Sequence, residues 1–278
     1  MSGYGPNQQA EWDLVPYFDI DPDPAGNLTE GYRALMGDVR ASRVAGIVFC
    51  YSPHNLSGTD LLEERPVPAV CLSGGTGRWG PTVMVEKNRV LEGAVSCLVE
   101  RHCHRLAWVM IMKYDPQWLR GALEELNDRY GFYTPPRWIH PMNQFHPKWV
   151  RHSLQTMLEA PAGERPDGLV IWDDHLIEPV AQALGEMEVE VPQELEVVGY
   201  WNFPLAYEGQ LPITRLGQDT QEQLRVALDV LRRARGEEAV PMKSRLDPMT
   251  ASEFRERYGE EAEVPYEEIT AARELTHV

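Results

Sequence analysis

The sequence predicts an α/β protein that contains two doubly wound, mostly parallel sheets. Three observations lead to this prediction: short apolar runs without alternation, helical apolar stripes between them, and short connections from one to the next. Apolar runs without alternation are typical of strands that are buried on both faces, as parallel strands usually are. Alternation of strand and helix with short connections then favours parallel pairing through right-handed crossovers.

Six segments have the composition of buried strands. They are residues 12–18, 46–51, 67–72, 106–112, 168–172 and 195–200. Because only eleven residues precede the first of these segments, they leave no room for the strand and helix that usually begin such a sheet. We therefore expect a first strand-helix unit to be missing from the front of the chain.

Helical patterns lie between the predicted strands. Asn27 and Glu30 have the spacing of a capping box, and Tyr32, Leu35 and Met36 then place apolar side chains on one face of a helix. Similar stripes occur at residues 90–98, 176–184 and 220–231. The segment from residue 249 onward is mainly acidic with few recurring apolar positions, so we expect it to be the least ordered part of the chain.

Composition restricts the class of protein. The 278 residues are 43% hydrophobic and 25% charged, which suits a soluble globular protein of one large or two modest domains. The formal net charge of −17 repels phosphate backbones, so this chain alone is not expected to bind nucleic acid. Neither a run of 18 apolar residues nor a leader-like start is found, so we expect no membrane association and a cytoplasmic location.

Two clusters of reactive side chains suggest other chemistry. His102-Cys103-His104 has the residue types of a metal site, but no distant partner at a recognised spacing completes it. Asp173-Asp174-His175 places an imidazole beside two carboxylates, yet no serine or cysteine nucleophile is tied to them. The four cysteines are scattered, and three lie in apolar segments, which favours buried thiols over disulfides. We predict no catalytic residue, no metal and no cofactor.

The order of segments resembles one known family. Residues 166–174 form an apolar strand that ends in two acids, a helix follows, and residues 191–206 add a second strand that ends in Gly199-Tyr200-Trp201-Asn202. This pattern is similar to the effector domain of LacI/GalR transcription regulators, a fold of the periplasmic-binding-protein type. Further segments resemble the family in the same order: residues 44–48, 66–70, 102–108 and 212–218.

The resemblance implies two α/β subdomains with a ligand cleft between them. By analogy, residues 1–111 with 217–236 form the N-terminal subdomain and residues 112–216 with 240–248 the C-terminal one, followed by an acidic tail, 249–278. In the family an N-terminal helix-turn-helix binds DNA, and this sequence shows none. DNA binding is therefore expected only through an absent N-terminal domain.

The family pattern implies ligand-binding roles for residues at strand ends. Asp173 and Asp174 stand where the family has an Asn-Asp pair, and Gln218 stands at the hinge. Trp201 replaces the aspartate that grips the ligand, with Asn202 beside it. An indole cannot accept a hydroxyl hydrogen bond, but it stacks on a flat apolar face.

Four further residues complete the predicted site. Trp172 is expected to face the cleft together with Trp201, so that both indoles contact the ligand. Trp118 aligns with a family arginine, and Arg120 lies close enough in sequence to supply the guanidinium instead. Asn88 corresponds to the asparagine of a family Asp-Asn pair.

These features favour one function. The resemblance implies the dimerising, effector-sensing domain of a LacI-type regulator, with a sugar or sugar derivative as effector and a second copy of the chain as partner. A solute-binding protein of a transport system is the alternative, disfavoured because the sequence begins without a signal peptide. An enzyme on the same fold is the third possibility, since fold does not fix function.

Overall fold

The computed structural model describes residues 12–72, 77–111, 116–143 and 146–265. The chain divides into two compact units, each with residues from separate parts of the sequence. Unit 1 runs to Val83 and includes Val226–Ser244, whereas unit 2 comprises Met84–Arg225 and the chain from Arg245 onward. This division, with its flanking helices and mostly parallel sheets, confirms the predicted α/β class.

The described residues form eight α-helices and ten strands. The helices are α1 (Glu30–Arg40), α2 (Asp60–Glu63), α3 (Lys87–Glu100), α4 (Pro116–Tyr130), α5 (Pro147–Leu158), α6 (Ile177–Glu186), α7 (Thr220–Arg235) and α8 (Ala251–Tyr258). The strands are β1 (Ile47–Phe49), β2 (Ala69–Cys71), β3 (Thr82–Val85), β4 (Leu106–Ile111), β5 (Ile139–Met142), β6 (Gly168–Ile171), β7 (Glu196–Phe203), β8 (Thr214–Asp219), β9 (Lys243–Leu246) and β10 (Met249–Thr250). No helix in the described ranges is long and apolar enough to cross a membrane.

Unit 1 is organised around a short sheet with the strand order β1-β2-β3-β9. The predicted apolar stripe of α1 packs into the core of this unit, where Tyr32, Leu35 and Met36 cluster with Phe49 of β1. The N-cap of the helix is Thr29, whose hydroxyl accepts a hydrogen bond from the Tyr32 amide at 3.3 Å, and not the predicted cap Asn27. The stripe was therefore correctly predicted, but the capping residue was not.

The predicted strand at residues 12–18 is wrong. These residues belong to no strand, and Leu14, Val15 and Phe18 are 54%, 64% and 44% exposed. A strand needs a neighbour that pairs with its backbone groups, and none of the described strands pairs with this segment. An apolar composition alone was not enough to specify a strand.

Unit 2 contains a larger sheet with the order β10-β8-β7-β6-β4-β5. All of its neighbours are parallel except β10, which runs antiparallel to β8. The central strand β6 pairs with β4 on one side, where Val170 lies opposite Trp108, and with β7 on the other, where Ile171 lies opposite Gly199. This sheet carries the residues of the candidate site.

The unit boundaries differ from those expected. The first expected boundary followed residue 111, whereas β4 lies inside the sheet of unit 2 because it pairs with both β5 and β6. Conversely, β9 was assigned to the C-terminal subdomain but joins β3. The chain passes between the units within β3, α7 and β9. An entirely apolar strand such as β4 does not reveal in its sequence which sheet it enters.

Residues 249–265 of the predicted acidic tail are also better ordered than expected, and the rest of that tail, 266–278, lies outside the described residues. The ordered part adds β10 to the sheet and then forms α8, which begins with a complete capping box between Thr250 and Glu253. Phe254 is fully buried and stacks on Phe203, with ring centroids 5.0 Å apart. The sequence did not predict this short amphipathic helix, because its composition is mainly charged and only one large apolar side chain packs into the core.

Replacing Phe254 tests this packing. We expect Phe254→Ala to lower the free energy of unfolding by about 3–5 kcal/mol, the usual cost of removing a buried aromatic ring and leaving a cavity. Urea denaturation followed by circular dichroism measures the change. Tyr133→Ala is the control, because Tyr133 is 58% exposed; equal losses in the two variants would contradict the burial of α8.

The cysteines occupy different environments. Cys71 and Cys103 are buried, as predicted, whereas Cys50 is exposed, although it follows an apolar strand. Burial raises the pKa of the Cys71 thiol to about 11 and that of Cys103 to about 12. Both thiols therefore stay almost entirely protonated at neutral pH, and since the thiolate is the reactive form, they react slowly there.

Alkylation of the folded protein with iodoacetamide at pH 8 tests this difference. We expect Cys50 to be modified first, because it is exposed, and Cys71 and Cys103 to react more slowly, since both side chains are buried and few of their thiols ionise. Peptide mass spectrometry measures the rates. Rapid modification of Cys103 without unfolding would show that its burial is wrong.

Candidate functional site

Three polar side chains meet at the carboxyl ends of β6, β7 and β8. The Asn202 side-chain amide donates to Asp174 Oδ2 at 2.6 Å, and the Gln218 amide donates to Asn202 Oδ1 at 2.7 Å. Asn202 and Gln218 lie opposite each other in the parallel register of β7 and β8. This hydrogen-bonded row, which we call the polar edge, lies where open α/β sheets hold their ligands.

The polar edge offers both donors and acceptors. Each amide carries two N–H donors and one carbonyl acceptor, and the Asp174 carboxylate accepts only. The bonds between the three side chains use part of this capacity and fix the amide orientations. The row is therefore suited to a ligand with several hydroxyl groups, which donate and accept at once.

The Asp173 side chain forms hydrogen bonds within the turn that follows β6. This side chain is 5% exposed, and Oδ1 lies 2.8 Å from His175 Nδ1 and 3.3 Å from the His175 amide. The carboxylate thus caps the 3-10 turn that follows β6. Ligand-type atoms of Asp173, Asp174 and His175 lie within 4.8 Å of one another, but these hydrogen bonds account for the arrangement, and we assign the three to the turn and the polar edge.

Four aromatic side chains form a cluster around Trp172. Its ring centroid lies 6.0 Å from that of Trp108, 6.2 Å from Trp118 and 6.1 Å from Tyr200. Trp108 and Trp172 are buried, whereas Trp118 and Tyr200 are partly exposed. Tyr200 and Asn202 are two residues apart on β7 and so point to the same face of the sheet. The aromatic cluster and the polar edge therefore share one face.

Trp201 lies on the other face. Its indole N–H donates to the Leu205 carbonyl at 2.5 Å, and its ring packs edge-on against Tyr207 at 5.6 Å. Trp201 belongs to one hydrophobic core and Trp172 to the other. Successive side chains of a strand alternate between faces, so Trp201 lies on the face of the sheet opposite to its neighbour Tyr200. Tyr200 shares the face of Trp172, and the expected pairing of the two indoles is therefore wrong.

The remaining predicted residues lie on helices of unit 2. Trp118 on α4 joins the aromatic cluster, and Lys87 Nζ lies 5.9 Å from its ring centroid. Arg120, two positions further along α4, is exposed, as is Asn88 in the first turn of α3. In the described ranges, no hydrogen bond joins Arg120 or Asn88 to the polar edge.

Sequence reasoning missed Tyr200 and Trp108. Both lie inside strands whose apolar composition had already been attributed to the core. The available signal was the spacing, because Tyr200 precedes Asn202 by two residues and shares its face. Counting faces from Asn202 would have selected Tyr200 and rejected Trp201.

A protein-family model matches more than half of the chain. The family model for the periplasmic binding protein-like domain matches residues 95–256 and includes the polar edge and the aromatic cluster. No protein of curated function matches the chain in sequence.

Solved structures show the same fold. Transcription regulator CcpA of Lactococcus lactis has a TM-score of 0.64 and 17% identity, covering 80% of this chain and 81% of its own. A LacI-family regulatory protein from Chloroflexus aggregans also has a TM-score of 0.64, at 16% identity and 81% and 82% coverage. A LacI-family regulator from Lactobacillus casei, solved with bound glucose, has a TM-score of 0.59 at 16% identity, with 80% and 82% coverage.

These likenesses agree with the α/β fold described above. The chain belongs to the periplasmic binding protein-like domain family.

Proposed function

We propose that the chain is the effector-sensing domain of a LacI-type transcription regulator and that its effector is a sugar or sugar derivative. The observation that carries this proposal is the row Asp174–Asn202–Gln218, which shares one face of the sheet with an aromatic cluster. Support from the fold comes from the LacI-family regulators among the similar structures.

The chemistry of the site matches a sugar. Hydroxyl groups both donate and accept, and the side chains of Asn202 and Gln218 present both functions beside the acceptor Asp174. The C–H face of a sugar ring stacks on aromatic side chains, and Trp118 and Tyr200 are the partly exposed members of the cluster. The Lactobacillus casei regulator was solved with glucose, which agrees with a ligand of this class.

The proposal includes two macromolecular partners. A second copy of the chain forms a homodimer, and DNA is bound through a helix-turn-helix domain, in the cytoplasm. Because the net charge of −17 disfavours contact with phosphate backbones, DNA affinity is assigned to that separate domain.

A thermal-shift screen of sugars, sugar acids and nucleosides tests the proposal. A ligand that binds only the folded protein raises the melting temperature in a concentration-dependent way. We expect at least one sugar or sugar acid to do so. Gln218→Leu should then weaken its binding by roughly tenfold, because the ligand loses a hydrogen-bond partner at the polar edge.

The matched control is Gln182→Leu, the same substitution at an exposed position of α6. It should leave ligand affinity unchanged. A ligand that stabilises both variants equally would bind elsewhere, and a screen in which no sugar or sugar acid produces a shift would contradict the proposal.

A further inference from the structure

The C-terminal part of unit 2 forms a strap, residues 249–264, across the ends of β7 and β8. It begins as β10, where Met249 lies opposite Gly217 of β8. It continues as α8 and ends at Val264, which bridges Leu205 just beyond β7. Phe254 and Phe203 stack within the same core as Trp201, so the strap covers the face opposite the aromatic cluster.

The strap binds Asp219, the residue that follows Gln218, through a hydrogen bond and an ion pair. The carboxylate of Asp219, which is 4% exposed, accepts the Tyr258 hydroxyl at 2.6 Å and lies 3.6 Å from an Arg257 nitrogen. Its other oxygen accepts the amides of Gln221 and Glu222 at 3.0 and 2.9 Å. A single buried carboxylate therefore joins the strap to the first turn of α7. The same carboxylate caps the start of α7, and such caps stabilise a helix.

The strap also forms backbone hydrogen bonds with the residues that follow Asn202. The Val264 amide donates to the Pro204 carbonyl at 2.7 Å, and the Ala206 amide donates to the Val264 carbonyl at 2.9 Å. Together with the stacking of Phe254 on Phe203, these bonds hold the backbone directly beyond the polar edge.

A buried ion pair fastens the end of the strap. Both terminal nitrogens of Arg215 donate to the two carboxylate oxygens of Glu263, each at 3.0 Å. The two side chains are 6% and 13% exposed, and Arg255 adds a third contact to Glu263 at 3.1 Å. Removing one partner from a buried pair leaves an uncompensated charge, so such a pair specifies one position of the strap.

We propose that the strap is a positioning device for the polar edge, with Tyr258 and Glu263 as its positioning residues. Asn202 and Gln218 project from one face of the sheet, and the strap fixes their chain neighbours on the other face. Helix α7 starts at this point in unit 2 and continues into unit 1. The strap therefore links the geometry of the polar edge to the cap of the helix that leaves the unit.

The link to a ligand rests on the proposed function, but the positioning does not. If a ligand at the polar edge moves Gln218, the adjacent Asp219 and its bond to Tyr258 must respond, and the coupling is reciprocal. Loosening the strap is then expected to weaken binding without removing any group that touches the ligand.

Nuclear magnetic resonance of the whole chain without ligand tests the positioning. The side-chain amide signals of Asn202 and Gln218 report the polar edge, and the backbone amides of Gln221 and Glu222 report the helix cap. We expect Tyr258→Phe, which removes one hydroxyl, to accelerate hydrogen exchange of the two cap amides roughly tenfold. It and Glu263→Gln should both shift the side-chain amide signals of the polar edge.

Two controls separate positioning from a general loss of stability. Leu154→Ala removes a buried side chain of α5, a helix that lies outside the strap, and Glu261→Gln changes an exposed carboxylate of the strap itself. Neither should shift the Asn202 and Gln218 side-chain signals. If Leu154→Ala shifts them as much as Tyr258→Phe does, or if the strap variants leave them unchanged, the proposal is overturned.

Titration with the sugar or sugar acid found by the thermal screen then tests the coupling. Tyr258→Phe and Glu263→Gln should raise its dissociation constant about three- to tenfold, within the range of coupling energies between sites. Altered signals with unaltered affinity would overturn the coupling to ligand. Altered signals in a chain that binds no screened compound would support the positioning and reject the proposed function, whereas unaltered signals reject the positioning whatever the chain binds.

Discussion

The alternation of side chains along β6, β7 and β8 determines where each functional group of unit 2 lies. These strands are buried on both faces, so each residue belongs either to the face of Trp172 or to the face of Trp201. Asn202 and Gln218 fall on the first face because of their register, and Asp219 falls on the second. A one-residue slip would exchange the polar edge with the core.

This alternation divides the work between the two faces. One face carries the polar edge and the aromatic cluster, which are suited to a ligand. The other carries the strap, with its buried contacts to Arg215, Phe203 and Asp219. The strap can therefore fix the side chains of the polar edge through their neighbours on the same strands. Because it contacts the opposite face of the sheet, it does not occupy the space that a ligand would need.

The sequence contained enough to predict the class of fold and part of the site. Unbroken apolar runs located β4 and β6, and the resemblance brought Asp174, Asn202 and Gln218 to strand ends. The face of Trp201 was mispredicted because an alignment transfers residue positions but not the packing around them. The strap was missed because its ordering depends on Phe254 and on contacts distant in sequence, which local composition does not record.

The most direct test of the account is whether a ligand affects one face of the sheet and not the other. Signals of the Asn202 and Gln218 side-chain amides and of the Trp172 and Trp201 indoles can be followed during titration with the first sugar or sugar acid that stabilises the protein. We expect the largest shifts for the two amides, a smaller one for Trp172 and the smallest for Trp201. A dominant shift of the Trp201 indole with silent amides would contradict this expectation.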